Sequence, residues 1–219
     1  MSMFPGSPRL LKGGIALIDP DTGAIQRIIA LQYNPDTLTR SLQVQSVEPG
    51  NKNRSEAMRL KGPPIETFKL DAEIDATDQL EFPDQNPQTG QYGLHPQLAA
   101  LETIVYPSSS QLLNANSQAQ SGTLEIAPME APLTLFIWSS SRVVPMRITE
   151  FSITEEAFDT ALNPIRAKVS LGMRVLNVDD LGFDEMGGSL FMVYQQQKER
   201  LASLAPRGTL RDLGIGGLS

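Results

Sequence analysis

The 219-residue chain has no cysteine and a single histidine, His95. Without thiols there is neither a disulfide framework nor a zinc-thiolate centre, and one imidazole cannot build a multi-histidine metal site. Aromatic residues make up only 6% of the chain, and Tyr92, Tyr106, Trp138 and Tyr194 are scattered rather than grouped as a ligand-stacking cleft needs. Long apolar runs are also missing. The stretch Leu133 to Trp138 is interrupted by Thr134, and nothing spans a bilayer, so no direct membrane insertion is expected. The N-terminal Met-Ser-Met-Phe-Pro-Gly-Ser-Pro-Arg-Leu-Leu-Lys-Gly-Gly lacks a signal-peptide core, which points to cytoplasmic assembly and away from the general secretory route. Basic residues number 18 against 25 acidic ones, a net charge of −7, so no basic face is available to displace counterions from nucleic acid.

What the sequence does contain is alternation. In 65–75, Phe68, Leu70, Ala72 and Ile74 share one face, while Lys69, Asp71, Glu73 and Asp75 share the other. In 166–175, Val169, Leu171, Met173 and Val175 oppose Arg166, Lys168, Ser170 and Arg174. Both patterns predict half-buried strands with one wet face. Weaker alternation over 25–33 and 37–46 flanks the turn signal Asn34-Pro35-Asp36. Two further strands, 131–138 and 142–154, are joined by Ser139-Ser140-Ser141. The apolar phase changes from even numbers (Met146, Ile148) to odd ones (Phe151, Ile153), which predicts a bulge or bend near Glu150.

Two stretches have helical character. His95 to Tyr106 carries Leu98, Leu101 and Val105 at helical spacing, with Pro96 in the first turn and Pro107 beyond the end. Ser189 to Leu204 follows Gly187-Gly188, with Ser189 as the expected N-cap of a mostly solvated or docking helix. Residues 47–64, 78–94, 107–129 and the tail from Pro206 are polar or rich in Gly and Pro, and are expected to be irregular segments that order against neighbours.

Catalytic signals are weak. No Gly-x-Ser-x-Gly, phosphate-binding loop or dinucleotide fingerprint is present. The Asp71, Glu73 and Asp75 row has the residue types for a divalent cation or an acid/base pair, yet strand alternation alone generates such a row, and no opposing acid is evident. Asp19-Pro20-Asp21-Thr22-Gly23 resembles the start of a calcium loop without its downstream glutamate, and a hairpin turn is the simpler reading. No catalytic residue, cofactor site or metal site is assigned, and the chain is read as a non-enzyme.

The order of these pieces resembles the tube-protein family of contractile injection systems, in particular the adaptor between tube and baseplate hub. Leu31-Gln32-Tyr33-Asn34-Pro35 followed by Thr39-Arg40-Ser41 is similar to the family's aromatic-Asn-Pro turn after an N-terminal strand. Pro132 to Trp138, Met146 to Thr154 and Asn163-Pro164-Ile165-Arg166-Ala167 before an alternating strand resemble its closing strands. The matching pieces are dispersed over residues 12–180, and no LysM-like module follows them. The resemblance implies a mainly β, α+β chain: an antiparallel β-sandwich or barrel with a flanking helix. It is divided into an N-terminal arm (1–12), a tube-like β domain (13–180) and a C-terminal helix with a Gly-rich tail (181–219). It further implies a homo-hexameric ring touching tube proteins, a spike hub and other baseplate proteins, within a particle that is released or acts outside the cell. A tube-initiator or tail-tube ring, and a monomeric ligand-binding β-sandwich module, stay open as alternatives. Lys52, Arg54, Arg59 and Lys61 are the expected subunit-contact residues. Tyr33, Asn34, Pro35, Pro164, Arg166 and Ala167 form the family-motif turns.

Overall fold

A computed structural model describes residues 11–46, 59–121 and 131–216. Seven strands, β1 (Gly14–Ile18), β2 (Ile25–Ala30), β3 (Thr39–Gln43), β4 (Ile65–Asp75), β5 (Leu133–Ser139), β6 (Arg142–Phe158) and β7 (Pro164–Val175), form one antiparallel sheet in the order β2-β1-β5-β6-β7-β4-β3. Helices α1 (Thr77–Leu80), α2 (Pro87–Tyr92), α3 (His95–Glu102) and α4 (Ser109–Gln120) lie between β4 and β5, and α5 (Val178–Leu181) and α6 (Met186–Ser203) follow β7.

Strand phase sets the core. Phe68, Leu70, Val169, Leu171 and Met173 are buried, whereas Lys69, Asp71 and Lys168 are exposed, so β4 and β7 pair with the expected faces inward. A slip of one residue would invert every one of these positions. The predicted irregularity in β6 is present as a register shift against β7 between Ile148 and Glu150.

The sheet is rolled. Phe68 on β4 and Phe136 on β5 are separated by three ladders, about 14 Å in a flat sheet, yet their ring centroids are 5.6 Å apart. β3 pairs with only the first part of β4, Ile65 to Lys69, leaving the second part without a strand partner on that side. There the side chain of Gln32 takes over. Its amide nitrogen donates to the Asp75 carbonyl at 2.7 Å, and its oxygen accepts from the Asp75 N–H at 2.9 Å. A single amide side chain thus stitches the end of β2 to the end of β4. Leu94, Leu98, Leu101 and Ile104, from α3 and its flanks, complete the core within the roll. On the outer face, Ala16, Leu133 and Leu135 pack beneath Leu181, Met186 and Leu190 of α5 and α6, so β1 and β5 are apolar on both sides.

Several boundaries differ from the sequence reading. α3 stops at Glu102, and Ile104 rather than Val105 turns inward. α6 begins at Met186 with Glu185 as N-cap, placing Gly187 and Gly188 inside its first turn. The reason is a close approach: a Cβ on Gly188 would stand 1.7 Å from the Gly182 carbonyl oxygen. These glycines therefore admit a crossing rather than break a helix. The polar segment 107–129 contains α4, opened by a capping box in which Ser108 and Gln111 bond reciprocally. The segment 78–94 holds α1 and α2. The Asn34-Pro35-Asp36 turn does not close a hairpin but carries the chain from one edge strand to the other.

Candidate assembly surfaces

Asn34 accepts from the Gly13 N–H at 2.9 Å and donates to the Leu11 carbonyl at 2.8 Å, which pins the 33–36 turn to the segment that leads into β1. Tyr33 is half exposed beside it. Tyr33, Asn34 and Pro35 line a shallow pocket with Asp71, Glu73 and Lys168, so this turn rests on the wet face of β4 and β7. Pro164, Arg166 and Ala167 start β7. Pro164 is buried and its carbonyl accepts from Leu94 N–H at 2.9 Å, Ala167 is fully buried, and Arg166 faces solvent. Asp75 of β4 links the two motif groups, since its carboxylate pairs with Arg166 and its backbone bonds Gln32, the neighbour of Tyr33. Of the basic set, Arg59 and Lys61 are exposed beyond β3 and β4, while Lys52 and Arg54 lie outside the described residues.

The acidic row is answered across the ladder. Arg166 Nε donates to Asp75 at 3.0 Å, the Ser170 hydroxyl donates to Asp71 at 2.5 Å, and Glu73 stands opposite Lys168 in register. The Asp75 carboxyl is held below its ordinary range by hydrogen bonding from Thr77 against a desolvation cost, with further help from Arg166. Among the described residues no three His, Asp or Glu side chains converge as a metal set. Asp19 caps its own turn, accepting from Asp21 N–H, Thr22 N–H and the Thr22 hydroxyl, in the hairpin that joins β1 to β2. His95 is exposed at the start of α3. Trp138 packs on Phe136 with centroids 5.8 Å apart, at the rim of the core.

Two features escaped the sequence reading. The first is a buried polar cluster. Glu66, only 2% exposed, accepts from the Tyr194 hydroxyl at 2.8 Å and Lys198 Nζ at 2.7 Å, with Arg40 Nε 3.8 Å away. Desolvation and the neighbouring carboxylate push the Tyr194 phenol far above its usual range. Glu66 falls in the same strand phase as Phe68, and that phase was the available clue. The second is a cleft of about 320 Å³ between β2 and the unpaired half of β4, lined by Ile29, Leu31, Ile74, Leu101 and Val169. It carries no aromatic side chain.

Both edge strands of the sheet present exposed side chains. β3 is exposed throughout and β2 nearly so, and they lie at opposite ends of the strand order. Ile25 and Ile28 on β2 and Leu42 on β3 present apolar side chains to solvent.

No protein-family model matches the chain, and no curated protein matches it. Among solved structures, the chain is similar to one from the tail of an empty gene transfer agent particle with C6 symmetry. That match has 14% identity and a TM-score of 0.29, covering 75% of this chain and 90% of that one. It is also similar to a chain from the virion of a native gene transfer agent particle, at 14% identity and a TM-score of 0.26, covering 74% and 90% respectively. Among the described residues no helix is long and apolar enough to cross a membrane.

Proposed function

We propose that this chain is a structural ring subunit of a contractile, phage-tail-like injection particle, joining the inner tube to the baseplate hub and moving with the tube when the sheath contracts. The observation that carries the reading is the pair of exposed edge strands, β2 and β3, at opposite ends of one rolled sheet. Open edges invite pairing with another chain, and a head-to-tail contact that closes produces a ring. The dispersed tube-family motifs in the sequence support the same reading and imply six copies. The role is mechanical, its partners are tube, hub and baseplate proteins, and the paired charges of β4 and β7 give a wet face suited to a lumen. A tube-initiator or tail-tube ring uses the same edges.

Light scattering and negative-stain imaging of the purified chain, alone and with its tube proteins, test this. Closed rings that Ile28→Lys disrupts are expected. A chain that stays monomeric with every tube and hub protein offered would overturn the proposal and favour a ligand-binding module.

A further inference from the structure

The cleft of about 320 Å³ between β2 and the unpaired half of β4 is a breach in the core. It reaches from exposed Ile28 and Ala30 on β2 to fully buried Val169 on β7. β3 covers β4 only as far as Lys69, and the Gln32 side chain closes the seam at one point alone. Alanines on three elements, Ala30 on β2, Ala72 on β4 and Ala100 on α3, leave the space that longer side chains would fill. Protein interiors are normally packed without voids of this size, because atoms that line empty space forfeit their dispersion contacts. An apolar cavity of about 150 Å³ already holds benzene, and small-molecule sites begin at roughly 300 Å³. The cleft therefore has the size and depth of a ligand site.

The lining selects the chemistry. Its deep part is aliphatic, with Leu31, Ile74, Leu101 and Val169, and without an aromatic side chain a sugar or heterocycle has nothing to stack on. Both charged residues at the cleft are committed elsewhere. The Arg27 guanidinium donates to the Thr103 hydroxyl at 2.6 Å and the Ala100 carbonyl at 3.4 Å, and Glu73 belongs to the wet face, opposite Lys168. A charged ligand would thus be buried without a counter-charge. The amides are committed too, with one exception. Gln32 holds the Asp75 backbone through both of its polar atoms, and Gln79 Oε1 accepts from the Thr89 hydroxyl at 2.7 Å. Gln97 Oε1, from α3, is buried and is the one such side-chain atom without a partner among the described residues. A buried acceptor left unmade carries its desolvation cost until a donor arrives. We propose that this cleft binds a small, neutral, aliphatic molecule with one hydrogen-bond donor, an alcohol in type, its chain among Leu31, Ile74 and Val169 and its donor on Gln97 Oε1. The site lies within a single copy and stands whether or not copies form a ring.

Magnetic-resonance titration of the purified chain with hexanol and with its isomer methyl pentyl ether tests this. The two probes contain the same atoms, and only hexanol has a proton to donate. Saturable shifts with hexanol are expected at the methyl groups of Ile29, Ile74 and Val169, while the exposed Ile25 and Val193 stay unmoved. The ether should bind about tenfold more weakly, since it leaves the acceptor unmade. Hexanoate, which brings a charge, should shift none of them. Ala100→Leu narrows the cleft without altering Gln97 and should abolish the hexanol shifts. Gln97→Leu should remove the difference between the isomers and melt no lower than wild type. Should Ala100→Leu fail to fold, the isomer comparison in wild type and Gln97→Leu decides alone. No saturable shift with hexanol, equal binding of the two isomers by wild type, binding of hexanoate as tight as that of hexanol, or hexanol shifts that survive in a folded Ala100→Leu would each overturn the proposal.

Discussion

Glu66 and Lys198 are 132 positions apart in sequence and 2.7 Å apart in the fold. With the Tyr194 hydroxyl as second donor, Lys198 fixes α6 against the start of β4. Removing one member leaves a buried group uncompensated, which costs more than the pair contributes when intact. Glu66→Ala is expected to lose about 3 kcal/mol. Lys198→Met should lose less, since the Lys198 side chain is 29% exposed and Glu66 keeps the Tyr194 hydroxyl bond and the Arg40 guanidinium 3.8 Å away. Urea denaturation of both variants checks the order, and equal losses would refute it.

The Gln32 amide replaces a strand at the seam of the roll. Gln32→Ala should cost about 1–3 kcal/mol for two unmade bonds to the Asp75 backbone. Amide exchange at Asp75 should accelerate selectively, leaving Phe68 and Leu171 protected. Uniform acceleration across β4 would mean that the seam is not a local closure.

Gly187 and Gly188 are neighbours in one helical turn with different surroundings. A Cβ at 187 meets the end of the flexible Leu181 side chain at 2.3 Å, whereas one at 188 meets the Gly182 backbone at 1.7 Å. Alanine normally favours a helix over glycine by up to about 1 kcal/mol. Gly188→Ala is nevertheless expected to destabilise by roughly 2–4 kcal/mol, and Gly187→Ala by clearly less. Thermal melts of the two variants decide this.

Asp75 has its carboxyl depressed by the Thr77 bonds and Arg166. A depressed carboxyl contributes stability that is present above its unfolded value near 4 and is lost as pH falls through the lower folded value. Stability measured below about pH 4 should therefore decline less steeply in Asp75→Asn than in wild type. An unchanged slope would show that this carboxylate does not contribute.

The strand phases and the bulge near Glu150 were legible because one buried face forces period two on β4, β6 and β7. α4 was not, since it buries no residue and so carries no apolar stripe, although the Ser108 to Gln111 spacing of its capping box stands in the sequence. The Glu66 cluster and the Gln32 seam depend on contacts across 128 and 43 positions, which no local pattern encodes. The separation of β2 and β3 to opposite edges belongs to the same non-local class. Of the expected contact set Lys52, Arg54, Arg59 and Lys61, Arg59 and Lys61 stand exposed beside Leu60, and Lys52 and Arg54 lie outside the described residues.

The two-sided burial of β1 and β5 has a consequence for the order of events during synthesis. Their inner face is covered partly by β7, and their outer face by Met186 and Leu190. Neither cover exists when β5 leaves the ribosome, and Glu66 waits still longer for Tyr194 and Lys198. The nascent chain therefore carries an apolar, edge-bearing sheet until residues 186–203 are made, and pairings of such long range form slowly. Premature association between nascent chains is the hazard this topology creates, and α6 is the element whose arrival ends it.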